Sequence, residues 1–174
     1  MKNSAEQGLP EHLFEYISSI TPLINIDLLV VNKRLGACLT WRKDKFYGPG
    51  WHVPGGIIRF KESVSERIQY VAFNELGIKN KLDPVLISIN QIKNSNRDIR
   101  GHFISLLFSA TIEEELDLGI HNKLSIKNGS RRWHLIAPND MISQHKIYIP
   151  IINDVLSKNN EMKTITNNLS ECSF

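Results

Sequence analysis

The spacing of apolar positions changes along the chain, and this spacing predicts its elements. β-Branched or alternating apolar runs are typical of strands, whereas a 3.6-residue period is typical of helices. Strands are predicted at Leu23–Val31, Ala37–Arg42, Pro84–Ile92, His102–Ile112 and Arg131–Ile136, with a brief one possible at Ile57–Phe60. The first two form a hairpin by their spacing. A polar turn joins the third to the fourth.

Helices are predicted at Leu9–Ile20, from about Ser63 to Leu76, and in pieces from Pro138 and from about Ile147 to Lys158. In the second helix, an apolar stripe at helical spacing faces a core: Val64, Ile68, Val71 and Ala72. Gly77 then supplies a natural residue to follow the helix end. The segments Lys43–Trp51 and Glu113–Ser130 are predicted loops. This order of elements predicts an α/β fold, with one mixed sheet covered by helices on both faces.

The length of 174 residues suits one compact domain with its own core. We expect a single domain over residues 1–158, followed by a polar and mobile tail over residues 159–174. A hydrophobic content of 41% and a charged content of 22% are ordinary for a soluble globular protein. The net charge of +3 is too small to indicate a nucleic-acid partner, but it is compatible with an anionic small ligand.

The two cysteines, Cys38 and Cys172, lie far apart and indicate neither a disulfide framework nor a zinc site. The polar N-terminal segment does not have the character of a signal peptide. No apolar run reaches the roughly 18–20 residues that a membrane-spanning helix needs. A reducing cytoplasm, without a membrane or nucleic-acid partner, is therefore the expected setting.

The sequence VPGG, which ends at Gly56, introduces the candidate chemistry. Gly55 and Gly56 have no Cβ, so their backbone can approach a ligand closely. Glu62 follows before the second predicted helix, and Glu75 lies near its end. Mg²⁺ prefers oxygen ligands and keeps phosphate oxygens in its shell. A glycine carbonyl and a helix carboxylate together can supply such ligands.

These residues resemble the Nudix box, whose pattern is G-x5-E-x7-R-E-U-x-E-E-x-G-U, with U a bulky aliphatic residue. Gly56, Glu62, Glu75, Gly77 and Ile78 fit this pattern.

Three positions of the box depart from it. Tyr70 replaces the arginine, and Val71 and Asn74 replace two glutamates. A diphosphatase centre with two or three metal ions is therefore not expected.

The departures are similar to those of one branch, the GDP-mannose mannosyl hydrolases. That resemblance extends through Thr21–Val30, Arg42 and Gly48–Gly56, and more weakly through His102–Leu116 and Arg131–Ile142. It covers the chain from about Ile20 to about Leu156. It implies a Nudix-type α/β/α sandwich with a mixed β-sheet, and a homodimer.

The resemblance also implies the chemistry. Water would attack the sugar C1 with inversion and release a nucleoside diphosphate, helped by one Mg²⁺ ion. Gly55, through its carbonyl, and Glu75 would bind the metal. Arg42 would contact the diphosphate, and Asp27 would lie in the sugar region. Judged without the resemblance, Arg42 is a surface arginine at a strand end. Asp27 is a charged residue inside an apolar strand, and this unusual position favours a functional role for it.

Further positions depart from the pattern of this branch. The branch has arginine after the double glycine, where this chain has Ile57. Arg59 lies two residues on and would share the face of Ile57 in a strand. The branch has a diphosphate-contacting tyrosine where this chain has Phe103.

The branch also has a metal-binding glutamine and a general-base histidine in a late loop. Counting back from Arg132 puts Lys127 and Asn128 there, and asparagine cannot act as a base. Counting forward instead gives His121 as the base and Asn122 as a ligand. A different hypothesis is that Lys127 replaces the charge of the metal, which retained activity in EDTA would support.

Three interpretations follow. The first is a Mg²⁺-dependent hydrolase that acts on a nucleotide sugar, such as GDP-mannose, at C1. The second is a conventional Nudix diphosphatase, weakened by Val71 and Asn74. The third is a Nudix-fold module that binds a nucleotide sugar without turnover.

Overall fold

The computed structural model describes residues 8–44, 47–113, 116 and 126–158. Its elements in chain order are α1 (Glu11–Ile20), β1 (Leu23–Asn32), β2 (Gly36–Arg42), β3 (Gly50–His52), β4 (Gly55–Ile57), α2 (Val64–Val71), a π-helical turn (Ala72–Leu76), β5 (Val85–Lys93), β6 (His102–Thr111), β7 (Arg131–His134) and a 3₁₀ turn (Ser143–Tyr148). A last helix, α3, covers residues 149–158.

The strands form a seven-stranded sheet in the order β3-β2-β1-β6-β5, with β4 also pairing with β1 and β7 with β2. The pairs β1–β2, β1–β4, β2–β3, β2–β7 and β5–β6 are antiparallel. An isolated parallel bridge joins Trp51 to Met141. The predicted α/β class with a mixed sheet is confirmed.

Two predicted boundaries were wrong for a common reason. β3 lies in the predicted loop Lys43–Trp51, because its three residues pair with β2 from Thr40 to Arg42. The strand predicted at Ile57–Phe60 is instead Gly55–Ile57, which pairs with β1. Both strands are too short to show a period, so only the partner strand defines them.

The chain divides into two compact units. Unit 1 comprises Met1–Leu28 and Pro54–Ser109, and unit 2 comprises Leu29–Val53 and Ala110–Phe174. The single domain expected over residues 1–158 stays a prediction, and residues 159–174 lie outside the described part of the chain.

Unit 1 buries apolar side chains from β1, α2, the π-helical turn and β6: Leu23, Ile26, Leu28, Ile68, Val71, Ala72, Leu76 and Leu107 among them. The stripe predicted on the second helix is thus correct at Ile68, Val71 and Ala72. Val64 is 37% exposed, so its predicted burial was wrong. Val64 is the first residue of α2, directly after the capping residue Ser63.

Unit 2 buries apolar side chains from β1 to β3 and from its C-terminal turn and helix: Leu29, Val30, Val31, Leu39, Trp51, Val53, Tyr148, Ile152 and Leu156 among them. The β1–β2 hairpin is held by Asn32, whose Oδ1 accepts from the amides of Arg34 at 2.9 Å and Leu35 at 3.1 Å. Gly36 follows with φ of +95°, and a Cβ there would lie 2.1 Å from the His134 carbonyl oxygen. The hairpin therefore requires glycine at position 36.

Candidate active site

The candidate site is built on the first half of β1, in unit 1. Asp27 pairs with Gly55 across the β1–β4 ladder, and Asn25 pairs with Ile57. Side chains two residues apart in a strand share a face, so Asn25 and Asp27 point the same way. The Asn25 amide donates to Asp27 Oδ1 at 2.8 Å. Asp27 itself is only 1% exposed.

A second strand completes the surroundings of this carboxylate. The Ser105 hydroxyl, on β6, donates to Asp27 Oδ2, and Ser105 is fully buried. Burying a carboxylate is costly unless hydrogen bonds compensate for it. Asp27 accepts one bond on each oxygen from a neutral side chain. These two hydrogen bonds therefore compensate for the burial of the Asp27 side chain inside the unit.

The same face continues on β5. Asn90 lies opposite Ser105, and Ile92 lies opposite Phe103. Residues paired across two strands share a face. The Ser88 hydroxyl donates to Asn90 Oδ1 at 3.2 Å, while the buried Asn90 Nδ2 has no hydrogen-bond partner. We call Asn25, Asp27, Ser105 and Asn90 the polar row.

Gly55 is required by the close approach of the polar row. A Cβ on Gly55 would lie 2.2 Å from Asp27 Oδ1 and 2.7 Å from the Ile26 carbonyl oxygen. Neither distance allows a side chain. Gly56 has different neighbours. A Cβ on Gly56 would meet Arg67 and Val71 of α2 at 3.4 Å. The predicted close approach of the glycine backbone to a ligand stays a prediction.

Glu62 fixes the start of α2. Its Oε2 accepts from the Arg59 amide at 2.8 Å and from Arg67 Nε and Nη2 at 2.9 and 2.7 Å. The Arg67 side chain is 4% exposed, so this is a buried ion pair. Ser63 then caps the helix through a capping box with Glu66, and these bonds lower the pKa of the Glu66 carboxyl. Glu62 therefore acts as a hydrogen-bond acceptor at the start of the helix.

The end of this helix is wound as a π-helical turn over Ala72–Leu76, which ends at Gly77 with φ of +75°. Residues four apart, such as Val71 and Glu75, share one face of a regular α-helix. In the structure Val71 is 1% exposed, whereas Glu75 is exposed. The wider π turn changes the direction of every residue after it. Glu75 therefore lies at the surface of the box helix.

The residues present give a metal ion few ligands. Among the described residues, no group of three or more histidine, cysteine, aspartate or glutamate side chains is close enough to hold a metal. The Asn74 side chain is occupied by a bond to the Tyr70 carbonyl at 2.9 Å. Mg²⁺ often binds through one or two carboxylates, with water and substrate phosphates completing its shell. A single Mg²⁺ ion on Glu75 and the Gly55 carbonyl would be binding of that kind, and it stays a prediction.

Arg59 follows β4 in a turn, because the strand ends at Ile57. The expectation that Arg59 and Ile57 lie on one strand was therefore wrong. Both residues nevertheless line one cavity of unit 1. The Arg59 guanidinium carbon lies 5.6 Å from the centre of the Tyr70 ring. Tyr70 occupies the arginine position of the box, so an arginine still lies beside that position.

Arg42 and Lys127 belong to unit 2. Arg42 Nε donates to Asp44 Oδ2 at 2.6 Å, and its guanidinium lies 4.4 Å from the Tyr47 ring centre. Its side chain is 33% exposed. Arg42 is thus held by a carboxylate and an aromatic ring, and its contact with a diphosphate stays a prediction.

Lys127 lies in a turn tied to the end of β2. The Lys127 amide donates to Ser130 Oγ at 3.0 Å, and the amide of Ser130 donates back to the Lys127 carbonyl at 2.9 Å. The Asn128 side chain accepts from the Lys43 amide at 3.0 Å. Asn128 therefore holds the turn, and the Lys127 residue is exposed.

His121, the candidate base, lies outside the described residues, as does Asn122. Two described histidines of unit 2 have structural contacts instead. His145 Nδ1 accepts from the Val53 amide at 3.1 Å, and burial, with the nearby charge of Arg42, lowers the His145 pKa to about 3. His134 packs against Trp51, and burial with Arg132 lowers its pKa to about 4, although Asp140 opposes that shift. Burial also raises the pKa of the Cys38 thiol to about 12.

Sequence reasoning missed Ser105, Asn90 and Arg67. Asn25 could have been found from the sequence, because it lies two residues before Asp27 in a predicted strand and shares its face. The other three needed the pairing of strands or the packing of a helix, which no local pattern contains.

Comparison with solved structures identifies the fold. The chain is similar to the MutT protein from Methanosarcina mazei Go1, with a TM-score of 0.57 and 16% identity over 81% of this chain and 97% of that one. It is also similar to a Nudix hydrolase from Listeria monocytogenes, with a TM-score of 0.52 and 14% identity over 80% and 97% of the two chains. The chain therefore has the fold of the Nudix hydrolases, as the box predicted.

Sequence comparisons are sparser. No protein-family model matches the chain. A curated protein from Haloferax volcanii, Low-salt glycan biosynthesis protein Agl8, is 25% identical over 111 residues, which are 62% of this chain and 70% of that protein. Within the described part of the chain, every helix is too short or too polar to cross a membrane.

Proposed function

We propose that this chain hydrolyses a nucleotide sugar of the GDP-mannose type at the sugar C1. The observation that carries the proposal is the buried Asp27 carboxylate, held in the polar row beside the Gly55 backbone. Cleavage at C1 develops positive charge on the sugar ring. A fixed negative charge that needs no rearrangement stabilises such a transition state. The Nudix fold and the glycan-related name of the Haloferax protein support a substrate of this class.

In the proposed reaction, a water oxygen bonds to C1 and the bond from C1 to the diphosphate oxygen breaks. The electron pair leaves with the nucleoside diphosphate, and the proton of the water goes to a base. His121 is our candidate for that base. Asn25 and Asn90 orient sugar hydroxyl groups, and Arg42 and Arg59 stabilise the leaving diphosphate. Phe103 gives the sugar an apolar wall rather than a hydroxyl contact.

Glu75 and the Gly55 carbonyl would hold one Mg²⁺ ion, which supplies positive charge to the diphosphate. The single carboxylate leaves room for the alternative in which Lys127 supplies part of that charge.

A second candidate function is binding without turnover. It is favoured by the small number of metal-ligating side chains in the described part of the chain. A diphosphatase is disfavoured by the burial of Val71 and by the bond that occupies Asn74.

The product mixture tests the proposal. GDP-mannose and a panel of other GDP-, UDP-, CDP- and dTDP-sugars are incubated with the chain and Mg²⁺, and the nucleotides are separated by chromatography. Nucleoside diphosphate with free sugar is the expected result. Nucleoside monophosphate with sugar phosphate would contradict it in favour of the diphosphatase. Thermal stabilisation without any product would establish the binding module.

A parallel reaction in EDTA tests the metal. Loss of activity that Mg²⁺ restores is the expected result, and it would reject the replacement of the metal by Lys127. Undiminished activity in EDTA would support Lys127, and Lys127→Gln should then abolish it.

We also propose a homodimer. β5 ends the strand order of the sheet, and Val85, Ile87 and Ile89 on it are 64%, 37% and 65% exposed. An exposed apolar edge strand is a ready template for another chain. Light scattering should give twice the chain mass of 19.9 kDa, and a single species near 19.9 kDa would refute the dimer.

A further inference from the structure

Strand β4 of unit 1 has a different charged residue against each of its two faces. Gly55 faces Asp27, and a Cβ on Gly55 would clash with the Asp27 carboxylate. Gly56 faces the other way, because adjacent residues of a strand point to opposite sides of the sheet. A Cβ on Gly56 would meet Cδ and Nη1 of Arg67 at 3.4 Å. Arg67 therefore lies behind the strand whose front contacts Asp27.

The strand itself has little of its own to hold it in place. It is three residues long and pairs with β1. Backbone bonds flank this pairing, from the Leu28 amide to the Pro54 carbonyl at 2.8 Å and from the Ile58 amide to the Ile24 carbonyl at 3.0 Å. Two of the three residues are glycines, which have no side chain to pack. The position of β4 therefore depends on the groups that pack against its backbone.

Arg67 also reaches the turn that joins β4 to α2. Its Nε and Nη2 donate to Glu62 Oε2 at 2.9 and 2.7 Å. The same oxygen accepts from the Arg59 amide at 2.8 Å, and the Glu62 amide donates to the Arg59 carbonyl at 3.1 Å. One carboxylate oxygen thus joins the end of the strand to the side chain of a helix residue.

The backbone of this turn is strained next to that carboxylate. Lys61 has φ of +63°, in the left-handed region that residues other than glycine rarely adopt. Such a conformation persists where the surrounding contacts determine it. Glu62 directly follows Lys61 and supplies these contacts through Arg59 and Arg67. The ion pair therefore keeps the turn in its strained form.

Tyr70 covers the outer side of the same ion pair. Its ring centre lies 4.6 Å from the Arg67 guanidinium carbon, and the Tyr70 residue is 47% exposed. The Arg67 side chain beneath it is 4% exposed. Exclusion of water strengthens the attraction between two charges. The Nudix box has its arginine at position 70, whereas in this chain the buried arginine lies one turn earlier and a tyrosine shields it.

We infer that Arg67 is a positioning residue for the reaction. It holds β4 against β1 through its contact with Gly56, and it holds the β4–α2 turn through Glu62. The Gly55 backbone thereby keeps its place beside Asp27. The inference rests on the proposed function, because that function assigns Asp27 and Gly55 to the substrate and the metal. Arg67 itself lies on the opposite side of the strand and acts through it.

The kinetics of sugar release test this role. Arg67→Met removes the donors to Glu62, and it should lower kcat by about tenfold or more while the KM changes by less than about twofold. Arg67→Lys keeps the charge and should retain more of the rate than Arg67→Met. Arg132→Lys is the matched control, because Arg132 is an exposed arginine of unit 2. It should keep the wild-type kcat and KM.

Amide hydrogen exchange tests the position of β4 without any turnover. Exchange reports local opening of the backbone. In Arg67→Met, peptides over residues 54–58 should exchange at least about tenfold faster, and those over residues 85–111 should keep their wild-type rates. Equal acceleration in both regions would show a general loss of stability and would overturn the inference. So would unchanged exchange over residues 54–58, or a wild-type kcat in Arg67→Met.

A second variant keeps the test decisive if Arg67→Met does not fold. Removal of one partner of a buried ion pair leaves the other charge unpaired. Glu62→Gln combined with Arg67→Met removes both charges together. This double variant should show the same fall in kcat and the same faster exchange over residues 54–58, and wild-type values of both would overturn the inference.

The two proposals fail separately. If the wild type releases free sugar but neither kcat nor the exchange of β4 depends on Arg67, the positioning role is wrong and the reaction stands. If the wild type releases no sugar, the reaction is wrong, and the exchange rates still decide whether Arg67 holds β4.

Discussion

Strand β1 buries a polar side chain in each of its halves, and the two are held in different ways. Asn32, in unit 2, bonds to backbone: its Nδ2 donates to the carbonyls of Ile112 and Glu113, each at 3.1 Å, and its Oδ1 accepts from the Arg34 and Leu35 amides. Asp27, in unit 1, accepts from the side chains of Asn25 and Ser105. Asn32 thus fixes the path of the chain. Asp27 is itself fixed by its neighbours, which is what a reacting group requires.

The comparison teaches how to separate a structural polar group from a functional one. A buried side chain whose bonds satisfy backbone groups stabilises the fold. A buried carboxylate that other side chains orient costs stability, and the proposed function gives it a role at the sugar C1. Activity and stability should therefore respond oppositely at the two positions.

The largest expected effect is on activity at Asp27. Asp27→Asn keeps the shape but removes the charge, and should lower the rate of sugar release by about 100-fold or more. The thermal midpoint should change little. Product chromatography measures the rate, with the exposed Asp83→Asn as control. A variant with the wild-type rate would mean that Asp27 is a structural group like Asn32.

The next effect is on stability at Asn32. Asn32→Ala leaves four backbone groups without their partner and should cost about 2 kcal/mol in the free energy of unfolding. Urea denaturation measures this, and the specific activity of the folded fraction should be preserved. Asn96→Ala, in the exposed turn after β5, should change the free energy by less than about 0.5 kcal/mol. Equal losses in the free energy of unfolding in Asn32→Ala and in the control variant would contradict the structural role of Asn32.

A smaller effect is expected at the far end of the polar row. Asn90→Ala removes a buried amide that has no partner on its Nδ2, so stability should barely fall. The KM for the nucleotide sugar should rise by about tenfold, since one hydrogen bond to the sugar is lost. Ser88→Ala removes the hydroxyl that bonds to Asn90 and should leave the KM near its wild-type value. An unchanged KM in Asn90→Ala would exclude that residue from the site.

The smallest effect near neutral pH concerns the buried histidine of unit 2. Burial lowers the His145 pKa from 6.5 to about 3, so the unfolded chain binds a proton in this range that the folded chain does not. Stability should therefore fall as the pH drops from about 6.5 towards 3. Thermal melts of the wild type and of His145→Gln across this range measure the slope. The variant should show a flatter profile, and identical profiles would contradict the assignment.

The long elements could be predicted because local sequence determines them. β1, β2, β5 and β6 are β-branched or apolar runs bounded by polar turns, and Gly77 ends its helix as expected. The site could be predicted only where residues are near in sequence, as for Asn25 and Asp27. Asn90 faces Ser105 because of a register that includes an irregularity between Leu86 and Ser88. That register depends on both strands and cannot be found in either one.

The π-helical turn gives this limit a geometric form. Its residues Ala72–Leu76 occupy the same number of positions as the matching part of the Nudix box. A motif match counts the residues along the backbone. Metal binding depends instead on the direction in which each side chain leaves the helix axis. The wider π-helical turn keeps the number of residues and changes the directions of their side chains. Two chains can therefore share a motif letter for letter and still direct its carboxylate to different places.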